Sequence, residues 1–257
     1  MVKINKNNEP SGLKAYKKEM QLQGKKITYE DENAFTKYLT YQNQQNENAF
    51  LELRKALLKE QKFICCYCGQ WIENVVNENG VPQMKTEHFY PKKAKIAKYG
   101  VLAEEWSNKQ LDYENVLAAC KGNENSLMGK HCDTQKDNTP LRYLMNPATS
   151  AYRPIFRYLV KPNTKEVVIK PLKNIGNVVA VEAEMKEVLN LNENSLKAKR
   201  FSAWRISIEK ELGNEAAWNK KQVNTLYLEY VAYQKRDRLL PFHGFLVDYL
   251  AHWLSKY

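Results

Sequence analysis

The sequence predicts an α+β fold in which a small cysteine-bearing core of short strands is embedded in a mainly α-helical chain. Two observations predict it. Apolar and aromatic residues recur at three- and four-residue spacing from Leu13 to Gln61 and again from Val181 to Tyr257, as in helices that bury one face. Between these stretches all five cysteines cluster at positions 65 to 132, among short apolar runs and turn-forming Asn and Gly residues.

In the first stretch, Phe35, Tyr38 and Leu39, then Phe50, Leu53, Leu57 and Leu58, predict two or three amphipathic helices. The Gln- and Asn-rich run TYQNQQNENAF between them suits a helix connection or a helix start. From Phe63 to Thr139 the pattern changes. Asn-Glu-Asn-Gly at 77 to 80 offers a hairpin turn, and NVLAAC reads as a strand that delivers Cys120. After Pro140, IFRYLV and EVVIK flank KPNTK, whose Pro and Asn suit the turn of a second small hairpin. Helical spacing then runs to the end, broken only at Gly213 and at Leu240-Pro241. The chain divides accordingly into an N-terminal helical segment (1–62), a functional module (63–140), and a hairpin followed by a helical region (141–257).

With 43% hydrophobic and 27% charged residues, the 257-residue chain falls in the globular range, which excludes largely disordered and fibrous classes. Forty Lys and Arg against 29 Asp and Glu give a formal charge of +11, which favours phosphate-bearing partners. The same lysines also suit solvated helix faces, so charge only supports other signals. No run approaches the roughly 18 apolar residues that span a bilayer, and MVKINKNNEPSG lacks the apolar core of a secretory signal. The expectation is a soluble, cytoplasmic protein, in which disulfides are rare and clustered cysteines are better read as metal ligands.

Cys65 and Cys68 have the two-residue gap that turns two thiolates onto one tetrahedral ion, and Cys120 and Cys132 supply a second pair. Four soft sulfurs suit a structural Zn²⁺, which would tie the entry of the module to its exit. Eleven residues, KGNENSLMGKH, separate Cys120 from Cys132, so the chain must make an excursion between them. Cys66 could replace Cys65, although its gap to Cys68 is less suitable, and buried core cysteines are the plain alternative.

Inside the loop that such an ion closes lies K-T-E-H-F-Y-P-K-K, where His88 follows Glu87 and a proline stops the strand. Imidazole suits proton abstraction from water, and a carboxylate suits a hard cation such as Mg²⁺. Asn115 stands just ahead of the strand that ends at Cys120, and Asp133 directly follows Cys132. In this order the residues resemble the HNH nucleases, whose ββα-metal scaffold holds a His, an Asn and a third His or Asn around one metal. The resemblance puts His88 on the general base, Glu87 on the adjacent metal-binding acid, Asn115 on the middle Asn and Asp133 on the third, metal-binding position. Glu87 stands where many members have Asp, and Asp133 where many have His or Asn, which leaves His131 as an alternative ligand.

The flanks L-L-K-E-Q-K-F-I-C-C-Y-C, L-M-N-P and L-N-L-N-E-N-S-L-K-A-K-R narrow the resemblance to the PtuB family of Septu-type and retron-associated anti-phage defence, over roughly residues 50 to 200. It implies a zinc-stapled HNH core and single-metal hydrolysis of DNA or RNA with Mg²⁺ or Mn²⁺, leaving a 5′-phosphate. The implied partners are nucleic acid, a PtuA-like ATPase subunit and, in some systems, a retron reverse transcriptase with its RNA and DNA.

Lys85, Lys92 and Lys93, with Lys95 and Lys98, crowd the catalytic loop as candidate phosphate contacts. Lys136, three residues past Asp133, would share its helix face and is a further candidate. His243 and His252 lie among aromatic residues of the tail and read as structural, and the tail Trp and Tyr residues read as core or partner surface. Two other function classes fit the same residues: a catalytically impaired zinc-stapled nucleic-acid reader, and a subunit that docks an ATPase.

Overall fold

The structure, a computed structural model, describes residues 1–24, 37–42, 48–72, 84–92, 109–233 and 235–256. Apolar spacing becomes two packed helices at the start of the chain. α1 (Ser11–Leu22) buries Leu13, Tyr16 and Met20, and α2 (Ala49–Glu60) buries Leu53, Leu57 and Leu58. Asn48 caps α2 by accepting from the Leu51 amide, so the Asn-rich run does end in a helix start. No side chain of α1 caps its own N-terminus; Glu52 of α2 does so, accepting from the amides of Ser11 (2.9 Å) and Gly12 (2.8 Å). Gly12 is required at that crossing, because a Cβ there would stand 2.5 Å from the Cβ of Ala49. Phe35 lies outside the described residues.

The cysteine module is built on β1 (Met84–His88) and β2 (Val116–Cys120), which pair antiparallel with Met84 opposite Cys120 and His88 opposite Val116. The Asn77–Gly80 turn lies outside the described residues. All five residues of β2 are buried because α2 and a short helix, α3 (Cys132–Lys136), both pack against it. Gln61, at the end of α2, seals one edge of β2: its amide donates to the Ala118 carbonyl (2.8 Å) and accepts from the Ala118 amide (2.7 Å). The excursion before α3 is pinched shut at its base, where the His131 amide donates to the Gly122 carbonyl (3.1 Å). Gly122 has a φ of +56°, and a Cβ there would lie 1.9 Å from the His131 carbonyl oxygen. Gly122→Ala is therefore expected to destabilise the protein by about 1–3 kcal/mol, readable as a lower urea midpoint.

The second hairpin forms as its sequence predicts. β3 (Phe156–Lys161) and β4 (Glu166–Pro171) pair with Phe156 opposite Pro171, joined by a 3₁₀ turn at Pro162–Thr164. The tail then folds into α4 (Val178–Ala183), extended by a π-helical turn to Val188, and α5 (Asn194–Trp204), extended through a π-helical turn to Leu212. α6 (Lys220–Tyr233) and α7 (His243–Leu254) pack against each other. The expected breaks at Gly213 and Leu240-Pro241 are present, but there is a third. The chain turns at Asn190, with a φ of +46°, and Glu193 caps α5 through the amides of Ser195 and Leu196. Apolar spacing concealed this break, because Met185, Leu189, Leu191 and Leu196 are buried on both sides of it.

The three sequence segments share one interior: a single hydrophobic cluster includes Ile4, Leu53, Phe89, Leu117, Ile169, Leu246 and Trp253. Backbone and side-chain bonds cross the segment boundaries, from the Phe242 amide to the Gly69 carbonyl (2.6 Å) and from Trp71 Nε1 to the Leu239 carbonyl (2.7 Å). Buried Arg200 ties α5 to β4 and to the 189–193 turn by donating to the Val167 (3.0 Å) and Leu191 carbonyls. The tail aromatics Trp204, Trp218 and Trp253 are buried and meet one another and the partly buried Tyr249 edge-on or tilted, so they belong to the core. Among the described residues no helix is long and apolar enough to cross a membrane.

Candidate metal centre and adjoining acid–imidazole site

The turn that carries Cys65 and Cys68 closes when the Gly69 amide donates to the Cys65 carbonyl (3.0 Å), with Gly69 at a φ of +80°. β2 then delivers Cys120, whose amide points at the Cys65 sulfur (3.4 Å), and α3 opens with Cys132. The four sulfurs of Cys65, Cys68, Cys120 and Cys132 are buried and lie within 4.8 Å of one another. Cys66, the alternative ligand, is outside this set; its amide instead donates to the Ala118 carbonyl (3.1 Å).

The arrangement fits a tetrahedral soft-metal site. The Sγ atoms of Cys68 and Cys120 are 3.8 Å apart, close to the edge of about 3.8 Å that follows from Zn–S bonds of about 2.3 Å. Burial by itself raises the Cys65 thiol, but hydrogen bonds from Cys120 and Cys132 outweigh it and hold Cys65 well below the usual thiol range. Burial pushes Cys132 well above that range. Cys120 and Cys132 thus keep their protons unless a cation compensates the charge, and the four cysteines could hold a zinc ion. His131 belongs to this neighbourhood and not to the acids, with Nδ1 3.2 Å from the Cys132 sulfur and 3.9 Å from that of Cys120. Its Nδ1 is thereby turned to the thiols.

Strand alternation puts Lys85 and Glu87 on one face of β1, and α3 brings Asp133 and Lys136, three residues apart, onto that face. Glu87 is 2% exposed and accepts from Tyr67 Oη (2.7 Å), while Lys136 Nζ pairs with it at 2.7 Å. Burial raises the Glu87 carboxyl, but Lys136, Asp133 and Tyr67 together bring it below the usual value. Asp133 moves the other way: burial and the neighbouring Glu87 push it up to about 8. The two acids hydrogen-bond to each other and share one proton, with Lys136 as the internal counter-cation.

This corrects the expectation for Lys136. Its side chain is 1% exposed, and its ammonium donates to the His88 carbonyl (2.9 Å) as well as pairing with Glu87, so it does not face a phosphate from solvent. A helix face shared with Asp133 points here into the protein, because α3 lies against β1 and β2. Lys136→Met leaves a buried carboxylate without its cation and is expected to lower stability by about 3–5 kcal/mol. Chemical denaturation measures this, and a loss below about 1 kcal/mol would contradict the pairing.

His88 ends β1 and is 5% exposed. Its Nε2 lies 2.9 Å from the Gln110 carbonyl oxygen. A carbonyl only accepts, so Nε2 carries the proton and Nδ1 carries the lone pair. Burial, with the charges of Lys92 and Lys136, lowers the imidazole to about 3, so it is neutral at neutral pH. Asn115 fixes this geometry from behind: it accepts from the Tyr90 amide (2.7 Å) and donates to the carbonyls of Tyr90 and Lys109 (both 3.0 Å). It thereby clamps the chain leaving β1 to the residue before Gln110, whose carbonyl holds His88.

The structure therefore brings Glu87, Asp133, Lys85 and Lys136 into direct contact, sets His88 within reach of the charges of Asp133 and Lys136, and makes Asn115 a backbone tie. Lys85 is engaged by Glu124 (2.6 Å) and Asp133 (3.5 Å), and Lys92 is partly buried close enough to influence His88. Lys93, Lys95 and Lys98 lie outside the described residues. Among the described residues the four thiols are the set of three or more metal-ligating side chains that converge, and the acids form a pair. Sequence reasoning missed Tyr67, although its place between Cys66 and Cys68 marked it as part of the turn. It also missed the Gln110 carbonyl, which no side-chain motif announces. His243 is fully buried as expected of a structural residue, whereas His252 is exposed on the last turn of α7. No protein-family model matches this chain, and no curated protein matches it.

Proposed function

We propose that this chain is an HNH-type endonuclease that hydrolyses phosphodiester bonds of DNA, or of RNA, as an effector of anti-phage defence. The observation that carries the reading is the buried, neutral His88, anchored through Nε2 beside a proton-sharing pair of carboxyls. His88 would accept the proton of the attacking water at Nδ1, and Asn115 and the Gln110 carbonyl keep the ring from turning. Glu87 and Asp133 offer the hard oxygen donors that Mg²⁺ or Mn²⁺ prefers, and such an ion would supply positive charge to the phosphate and the departing oxygen. The four-thiol cluster, loaded with zinc, would hold β2 and α3 against the cysteine turn. Lys85 and Lys92 are the candidate phosphate contacts among the described residues, and Lys93 extends the same run in sequence.

The test is cleavage of supercoiled plasmid and of single-stranded RNA by the zinc-loaded protein with Mg²⁺ or Mn²⁺, alone and with a PtuA-like ATPase subunit and nucleotide. Strand scission that requires the divalent ion supports the reading. The Lys136 ammonium favours a second reading, because it competes for Glu87 with any incoming cation. On that reading the chain is a catalytically impaired, zinc-stapled nucleic-acid reader or ATPase-docking subunit. Tight, salt-dependent nucleic-acid binding without cleavage under every metal and partner condition selects it.

A further inference from the structure

A cavity of about 540 Å³ opens between the N-terminal segment, the end of α2 with the turn after it, and the start of α7. Glu87, His88 and Asp133 do not line it. Its wall includes His243, which is fully buried with neither ring nitrogen hydrogen-bonded. Burial and the charge of Lys62 lower this imidazole to about 4, so it is neutral and keeps one N–H to donate. A buried polar ring without partners marks a place where a ligand atom is missing.

The rest of the wall identifies the kind of atom. Lys59, Lys62, Lys235 and Arg236 all border the cavity. Lys62 donates to the Arg236 carbonyl (3.0 Å), and the Arg236 guanidinium is fixed over the Tyr233 ring at 3.6 Å, so two cationic side chains are held at one edge. α7 begins at His243 with no side-chain cap; the His243 amide is taken by the Leu240 carbonyl (3.1 Å), and the positive dipole end of the helix lies at the cavity wall. Of the acids of the wall, Glu60 is taken by Lys6 (3.4 Å) and Tyr113 (2.6 Å), burial raises Asp248 to about 6, and Asp237 is the third. Ile4, Ile64 and Val247 add an apolar side.

We propose that this cavity binds a small phosphate monoester of nucleotide size, its phosphate held by Lys62, Arg236, His243 and the start of α7, and its organic part against the apolar side. Several cations and a helix N-terminus suit a multi-oxygen dianion better than a carboxylate. The volume falls within the range of about 300–1,000 Å³ typical of small-molecule sites and exceeds what a bare phosphate ion fills. The proposal is independent of the nuclease reading, since no residue of the acid–imidazole site takes part in it.

Calorimetric titration of the full-length, zinc-loaded protein with adenosine monophosphate and with inorganic phosphate tests it. Adenosine monophosphate is expected to bind saturably at one site per chain, with inorganic phosphate weaker by about tenfold or more. Lys62→Gln and Arg236→Gln should each weaken it by about tenfold, the loss of one charge-assisted contact. Both side chains lie at the rim, so these variants keep the test sound if His243→Phe fails to fold. Lys14→Gln, exposed on α1 and outside the cavity, should leave the affinity unchanged. The proposal is overturned if the wild type shows no saturable binding of either compound, if both bind equally well, or if the double Lys62→Gln, Arg236→Gln variant binds as the wild type does.

Discussion

Serine in place of Cys68 or Cys132 is expected to unfold the centre of this protein. The four sulfurs converge from three places in the chain, the turn after α2, the end of β2 and the start of α3, so each ligand lost frees a separate segment. Structural zinc contributes about 10–16 kcal/mol in small zinc-folded units, which equals or exceeds the net stability of about 5–15 kcal/mol of an ordinary domain. β1 and β2 form only a two-stranded ladder, and α3 spans five residues, so a large share of their stability should come from the cluster. Purified wild type should carry about one zinc per chain by elemental analysis. Either serine variant, or the wild type after chelation, should lose the metal and its cooperative thermal transition by circular dichroism. Protein that holds no zinc, or serine variants that melt like the wild type, would remove the metal centre.

His88→Ala is expected to abolish metal-dependent cleavage while the fold survives. A positioned general base contributes about 10²–10⁴-fold, so the variant should fall to that extent in single-turnover cleavage of a labelled duplex. The structural cost is smaller: the Gln110 carbonyl loses its imidazole donor, worth about 1–3 kcal/mol. A circular dichroism spectrum and zinc content like those of the wild type therefore separate chemistry from folding. Cleavage that persists within about threefold would exclude His88 as the base and, with it, the nuclease mechanism proposed here.

The two outcomes are separable for a structural reason. The thiols and the acids lie on neighbouring segments but use different residues of them: Cys120 ends the strand that pairs with β1, and Cys132 precedes Asp133 by one position. Loss of the zinc should therefore remove the acid–imidazole site as well, whereas loss of His88 should leave the zinc in place.

The chain itself determined which residues could meet a metal and the place of several regular elements. Two-residue cysteine spacing, the apolar run of β2, the KPNTK turn and the helical spacing of α1, α2 and α7 are local signals, and each formed as written because short-range geometry decides it. Tertiary structure decided what no local signal encodes. Lys136 and a solvent-facing lysine are spelled alike, and only the packing of α3 on β1 turned this one inward to neutralise Glu87. The choice of Cys65 over Cys66, the siding of His131 with the thiols, the hold of the Gln110 carbonyl on His88 and the hidden break at 189–193 all depend on partners distant in sequence. A side chain's role follows from which groups share its desolvated surroundings, and those groups are fixed only when the whole core closes.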